Sequence, residues 1–218
     1  MTAQHHPHHH PCCNTMLRYA AGTLSPAMHL FVATHLTFCP HCRQELQTYE
    51  SEAGLGLESL PPEELDVGCL NNLLSKIDES GPIACIDVTI PITSPQAYRY
   101  PEPLQPIVGN LGERIRWESS HGYRWWAIPE TIASRVVVYK ISNNQDMKNI
   151  SLDKHALVMI LSGDIENNVQ HFHSGDIIKS KSITGTTSAE TLCLVITPAQ
   201  SDKPNWLQCL SSLFDTHK

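Results

Sequence analysis

With 218 residues, 41% hydrophobic and 17% charged, the chain is long enough for two domains and has the balance of a folded globular protein. Its formal net charge of −7 argues against nucleic-acid binding, because phosphate contacts demand basic patches. No apolar run approaches the roughly 20 residues of a membrane helix, and the N-terminus lacks the pattern of a signal peptide, so a cytoplasmic location without a membrane partner is expected. There the 8 cysteines stay reduced, and a Cys-x-x-Cys beside histidines reads as a metal site.

The tail carries His5, His6, His8, His9 and His10, then Cys12 and Cys13. Asn14 can cap a short helix through Ala21, with Gly22 suited to a left-handed end. Ser25 and Pro26 open a second helix that carries Met28, Phe31, Val32, His35 and Leu36 up to Cys39. Pro40 cannot continue that amide ladder but can open a third helix, running from His41 to about Ser51 with Cys42 in its first turn. His35 and Cys39 then stand one turn apart on one face, and Cys42 returns to the same point after the break. Three zinc ligands converge, and the tail is the dense nearby source of a fourth; spacing alone leaves His8, His9, His10, Cys12 and Cys13 open.

Pro61 and Pro62 introduce a fourth helix, in which Leu65, Cys69, Leu70, Leu73, Leu74 and Ile77 form an apolar stripe. The stretch from Glu45 to Glu79 also holds Glu50, Glu52, Glu58, Glu63, Glu64, Asp66 and Asp78 against one base, Lys76. Such a surface repels DNA and suits a basic partner. Prolines 82, 91, 95, 101, 103 and 106 mark residues 81–106 as a linker. Beyond it come short β-branched runs: 115–117, 123–128, 135–141, 155–161, 177–180 and 192–197, several separated by turns such as Ser162-Gly163-Asp164 and Ser174-Gly175-Asp176. The expected fold is α+β in two domains: an all-α zinc-binding bundle over residues 1–80 and an all-β antiparallel barrel over 107–218.

The runs Tyr19-Ala20-Ala21-Gly22-Thr23-Leu24-Ser25 and Val32-Ala33-Thr34-His35-Leu36, followed by Cys39 and Cys42, resemble the zinc-binding anti-sigma domain of the ChrR family. In that family a linker joins the helical domain to a C-terminal cupin barrel, and this chain fits the layout from about His10 onward. The resemblance puts the family's ligands on His10, His35, Cys39 and Cys42. It implies one structural zinc and an anti-sigma factor that holds an extracytoplasmic-function-type sigma factor away from RNA polymerase and promoter DNA. The acidic segment would then face basic groups of the sigma factor, and apolar positions of the first and fourth helices would form the buried part of the interface. The family's cupin domain is linked to the response to singlet oxygen and organic hydroperoxides, so regulation of transcription under oxidative stress is the expected role.

The second half departs from the family's metal-holding cupins. With Gly163 as the turn glycine, Ile150, Leu152 and Ala156 occupy the places of two histidines and a glutamate, and the later histidine falls near Thr186. No second metal and no cupin enzymology are expected, and the chain reads as a regulator, not an enzyme. His155, His171 and His173 could rebuild a site only if brought together. Trp117, Trp125 and Trp126 read as barrel packing, and Cys193 as a core thiol. Cys12 and Cys13 could serve as an oxidation-sensitive element in place of the missing cupin ligands. The rival functions are a cupin enzyme with an accessory zinc domain, and a zinc-thiolate redox switch acting on another partner.

Overall fold

Two residue-plus-proline steps set the frame of the helical half. The Ser25 hydroxyl accepts the amide of Met28 at 3.4 Å and Pro26 takes the first helical position, so helix α2 runs Pro26–Phe38. Cys39 ends it and also caps α3 (Pro40–Glu58), its sulfur accepting the Cys42 amide at 3.4 Å. In the computed structural model the described residues are 6–63, 66, 68–79, 100–111, 115–128, 136–150, 152–153, 155–179 and 185–197. Helix α1 (Cys13–Ala20) precedes α2, and α4 (Cys69–Glu79) follows α3. The cap of α1 is Cys12, whose side chain makes no cap bond; Asn14, expected as the cap, lies inside the helix. Gly22 does take a positive φ, +66°, after α1.

Helix α2 is apolar nearly all round and is buried accordingly, through Ala27, Met28, Phe31, Val32, Thr34, His35 and Leu36. It packs on α1 and α3, on the last strand of the sheet, and on a 3-10 turn, Glu102–Leu104, whose Leu104 is fully buried. Helix α5 (Gln105–Leu111) continues from that turn. Of the proline-rich stretch, residues 81–99 lie outside the described residues, as do the C-terminal residues 198–218 and Glu64 and Leu65 of the fourth-helix segment.

The strands are β1 (Glu118–Ser120), β2 (Tyr123–Ala127), β3 (Val136–Ile141), β4 (Leu157–Ser162), β5 (Ile165–Glu166), β6 (His171–Phe172), β7 (Ile177–Lys179) and β8 (Thr191–Ile196). Six of them form one antiparallel sheet in the order β1-β2-β3-β8-β4-β7, and β5 pairs with β6. The expected barrel is not closed among the described residues: β1 and β7 stay as the two ends of the sheet. The β5-β6 pair forms a separate ribbon, which Thr186 joins through its bridge to Glu166.

Period-2 alternation explains why the central strands are apolar without a break. Val136 and Val138, Met159 and Leu161, and Leu194 and Ile196 face one core, shared with Met16, Phe31, Val32 and Leu104 of the helical segments. Val158 and Ile160, with Cys193 and Val195, face a second core with Ile165 and Phe172. Trp126 belongs to the first core, edge-on to Trp117, and Trp125 stacks on Tyr139. Cys193 is a core thiol with 0% exposure, and burial pushes it up to about 12.

Candidate metal centre

His35 and Cys42 are completely buried and Cys39 nearly so, although each carries a group that burial without a partner would penalise. The local fold brings them to one point. His35 sits in the last turn of α2, Cys39 breaks the helix, and Cys42 lies in the first turn of α3. Arg43 fastens the joint by donating to the carbonyls of Leu36 and Thr37. His10 arrives from the tail, its ring edge-on to His35 at 5.7 Å between centroids.

The four ligand atoms of His10, His35, Cys39 and Cys42 all lie within 4.8 Å of one another. His35 Nε2 is 3.3 Å from Cys42 Sγ, and His10 Nδ1 is 3.4 Å from both Cys39 Sγ and Cys42 Sγ. A tetrahedral ion with metal–sulfur bonds near 2.3 Å and metal–nitrogen bonds near 2.0 Å sets its sulfur and nitrogen ligands about 3.5 Å apart, so the donor set fits a small metal ion. The Gly175 carbonyl, 2.9 Å from His35 Nδ1, can only accept. The ring proton therefore sits on Nδ1 and leaves the Nε2 lone pair directed at the sulfurs.

The electrostatics agree with this reading. Burial lowers His35 to about 4, and burial followed by the charge of His41 lowers His10, so both imidazoles are neutral, the coordinating form. Burial, then the hydrogen bond and charge of Cys39, push the Cys42 thiol up to about 12. A sulfur in such a pocket loses its proton to solvent when a metal cation binds in its place.

Cys12 precedes α1, its sulfur 3.2 Å from the Thr15 hydroxyl, and Cys13 is exposed at the same helix end. Neither belongs to the four-donor group. A second cluster, His41, Cys42 and Glu45, shares Cys42 and lies on the outer side of α3, with Glu45 accepting from the Tyr49 hydroxyl at 2.8 Å. Its signal in the sequence is the i, i+4 spacing of His41 and Glu45 around a ligand cysteine. On the β5-β6 ribbon, His171 Nε2 donates to Asp164 Oδ2 at 2.8 Å and its ring lies tilted against His173 at 4.1 Å, while His155 lies exposed before β4. Ile150, Ala156 and Leu152 pack into the second apolar core, and Thr186 bridges to Asp146 and Glu166.

The chain is 29% identical over 198 residues to the anti-sigma-E factor ChrR of Cereibacter sphaeroides, a match that covers 88% of this chain and 90% of that protein. It also resembles a chain in the crystal structure of Rhodobacter sphaeroides SigE in complex with the anti-sigma ChrR, with a TM-score of 0.64 and 26% identity, over 87% of this chain and 98% of that one. No protein-family model matches the chain.

Proposed function

We propose that this chain, a ChrR-type anti-sigma factor by sequence and fold, binds an extracytoplasmic-function-type sigma factor in the cytoplasm and keeps it from RNA polymerase. The observation that supports the reading within this molecule is an exposed apolar stripe on helix α4. Leu70, Leu73, Leu74 and Ile77 lie on α4, all of whose residues are exposed, and Leu55, Leu57 and Leu60 around the end of α3 are exposed too. An 11-residue helix with no buried residue against the described part of the chain is marginal alone in water, and its stripe suits an apolar partner surface. Leu17 of α1 is exposed as well.

The ion at the four-donor site is zinc, since two thiolates and two neutral imidazoles in a small closed shell match its preferences. His10 Nδ1, His35 Nε2, Cys39 Sγ and Cys42 Sγ would hold it, and its contribution is structural. Residues 1–80 form the sigma-binding unit, 81–106 the linker and 107–218 a cupin-like unit that modulates the response. Oxidation of the site's two sulfurs would release the metal, which is compatible with an oxidative inducing signal.

Co-expression of the chain with an extracytoplasmic-function-type sigma factor from the same organism tests the function. Co-elution and loss of sigma-dependent transcription in a purified system are expected. A sigma factor that elutes separately and transcribes undiminished overturns the proposal.

A further inference from the structure

The strongest polar cluster outside the four donors lies on the sheet, 168 residues from the segment it holds. Asp176 follows the turn that leads into β7 and has no exposure. Its Oδ1 accepts the backbone amides of His8 at 2.7 Å and His9 at 2.9 Å and lies 3.3 Å from His9 Nδ1, while Oδ2 accepts the His173 amide at 2.8 Å. The Ile177 amide donates in return to the His9 carbonyl at 3.3 Å, and the His9 ring packs on Phe172 at 5.0 Å. Residues 8 and 9 thus run along the end strand of the sheet, and the next residue is the donor His10.

The residue before Asp176 touches a different donor. Gly175 offers its carbonyl to His35 Nδ1 at 2.9 Å. Its φ is +92°, and a side chain there would meet Pro7 at 2.6 Å and Phe38 at 2.7 Å. The turn is thus closed against both the tail and the end of α2, and only glycine fits.

We propose that the turn His173–Asp176 is the outer shell of the metal centre, with Asp176 as the positioning residue that fixes His10 through the backbone of His8 and His9. Hydrogen-bonded partners of ligands set their orientation and usually change metal affinity by roughly 10- to 100-fold when removed. Here these partners come from the sheet, so the metal and the packing of the helices on the sheet favour each other, and the coupling is reciprocal. The inference rests on the metal reading of the four donors.

The test uses the full chain loaded with zinc, with affinity measured by competition against a chromophoric chelator and ligand geometry read from the cobalt-substituted spectrum. Asp176→Asn is expected to weaken zinc by at least about tenfold while the cobalt spectrum keeps its tetrahedral, two-thiolate character. Asp164→Asn, at the equivalent Gly-Asp turn of the same sheet, is the control and should bind as the wild type does. Zinc affinity of Asp176→Asn within twofold of wild type, or a loss matched by Asp164→Asn, overturns the proposal. Amide exchange on the wild type needs no variant: removing the metal should speed exchange at His8, His9 and Ile177, and unchanged protection there overturns the coupling. A wild type that binds no stoichiometric zinc refutes the metal reading, and the outer shell with it.

Discussion

Cys39 serves at once as the end of α2, the cap of α3 and a donor, so its sulfur has more than one structural duty. Single Cys39→Ser or Cys42→Ser chains are expected to lose zinc altogether and, with it, much of the helical ellipticity. The apparent coordination energy of roughly 10 to 16 kcal/mol for such sites exceeds what so small a helical unit can supply by packing. Zinc content after gel filtration, with circular dichroism, checks this; one retained zinc in Cys42→Ser contradicts it. Asp164 makes a prediction of another kind. Burial works to raise its carboxyl, but hydrogen bonds from Ser188, at 2.6 Å to Oδ1, and His171 outweigh burial and hold it below the usual carboxylate range. A carboxyl lowered on folding stabilises the fold above its unfolded value and loses that contribution as pH falls through the folded one. Asp164→Asn should therefore melt lower than wild type at pH 7, with the gap closing as pH falls below the usual carboxylate range. Melting curves that stay equally separated across that fall would rule out that linkage.

At the scale of elements, the exposed stripe of α4 separates binding from folding. Leu73→Glu and Ile77→Glu change residues that are each 55% exposed, so melting temperature should hardly move. Sigma-factor affinity should fall by more than tenfold, as when an apolar anchor at the centre of an interface is replaced by a charge. Titration calorimetry measures this, and unchanged affinity in both variants would move the interface elsewhere. The elements also show which signals a sequence carries. Ser25-Pro26 and Cys39-Pro40 were legible because capping and proline act within one turn, and β3, β4 and β8 because a sheet buried on both faces needs unbroken apolar runs. Helix α3 runs on to Glu58, past the expected end near Ser51, because Gly54 and Gly56 cost only about 1 kcal/mol each and nothing crowds them. The two-residue strands β5 and β6 are too short to leave an alternation pattern. Barrel closure was out of reach for a different reason: it depends on strand order, which periodicity does not encode. At the candidate site, the convergence of His35, Cys39 and Cys42 followed from local spacing, whereas Asp176 and Gly175 act across long separations that leave no mark in the neighbouring sequence.

For the whole molecule, charge and shape point the same way. The net charge of −7 is concentrated where the apolar stripe is, with Glu50, Glu52, Glu58, Glu63, Asp66, Asp78 and Glu79 all exposed on or beside α3 and α4. A field of one sign around an apolar anchor speeds encounter with a basic partner more than it deepens the bound state. Reversing Glu63, Glu64 and Asp66 together should slow association by roughly tenfold at low salt and change dissociation little. Stopped-flow measurements across ionic strength check this, and an on-rate insensitive to both salt and charge reversal would contradict it.

The bond from Asp176 to the tail also bears on the order in which the protein is made. Chains emerge N-terminus first, so all four donors, the last at position 42, leave the ribosome long before the turn at 173–176 exists. During that interval the nascent helices have their sulfurs and imidazoles but nothing to hold His8 and His9 in place. With the proposed outer shell, the centre would assemble in two stages, an early open one and a late one locked by the sheet, and a chain cut short before Asp176 would remain at the first.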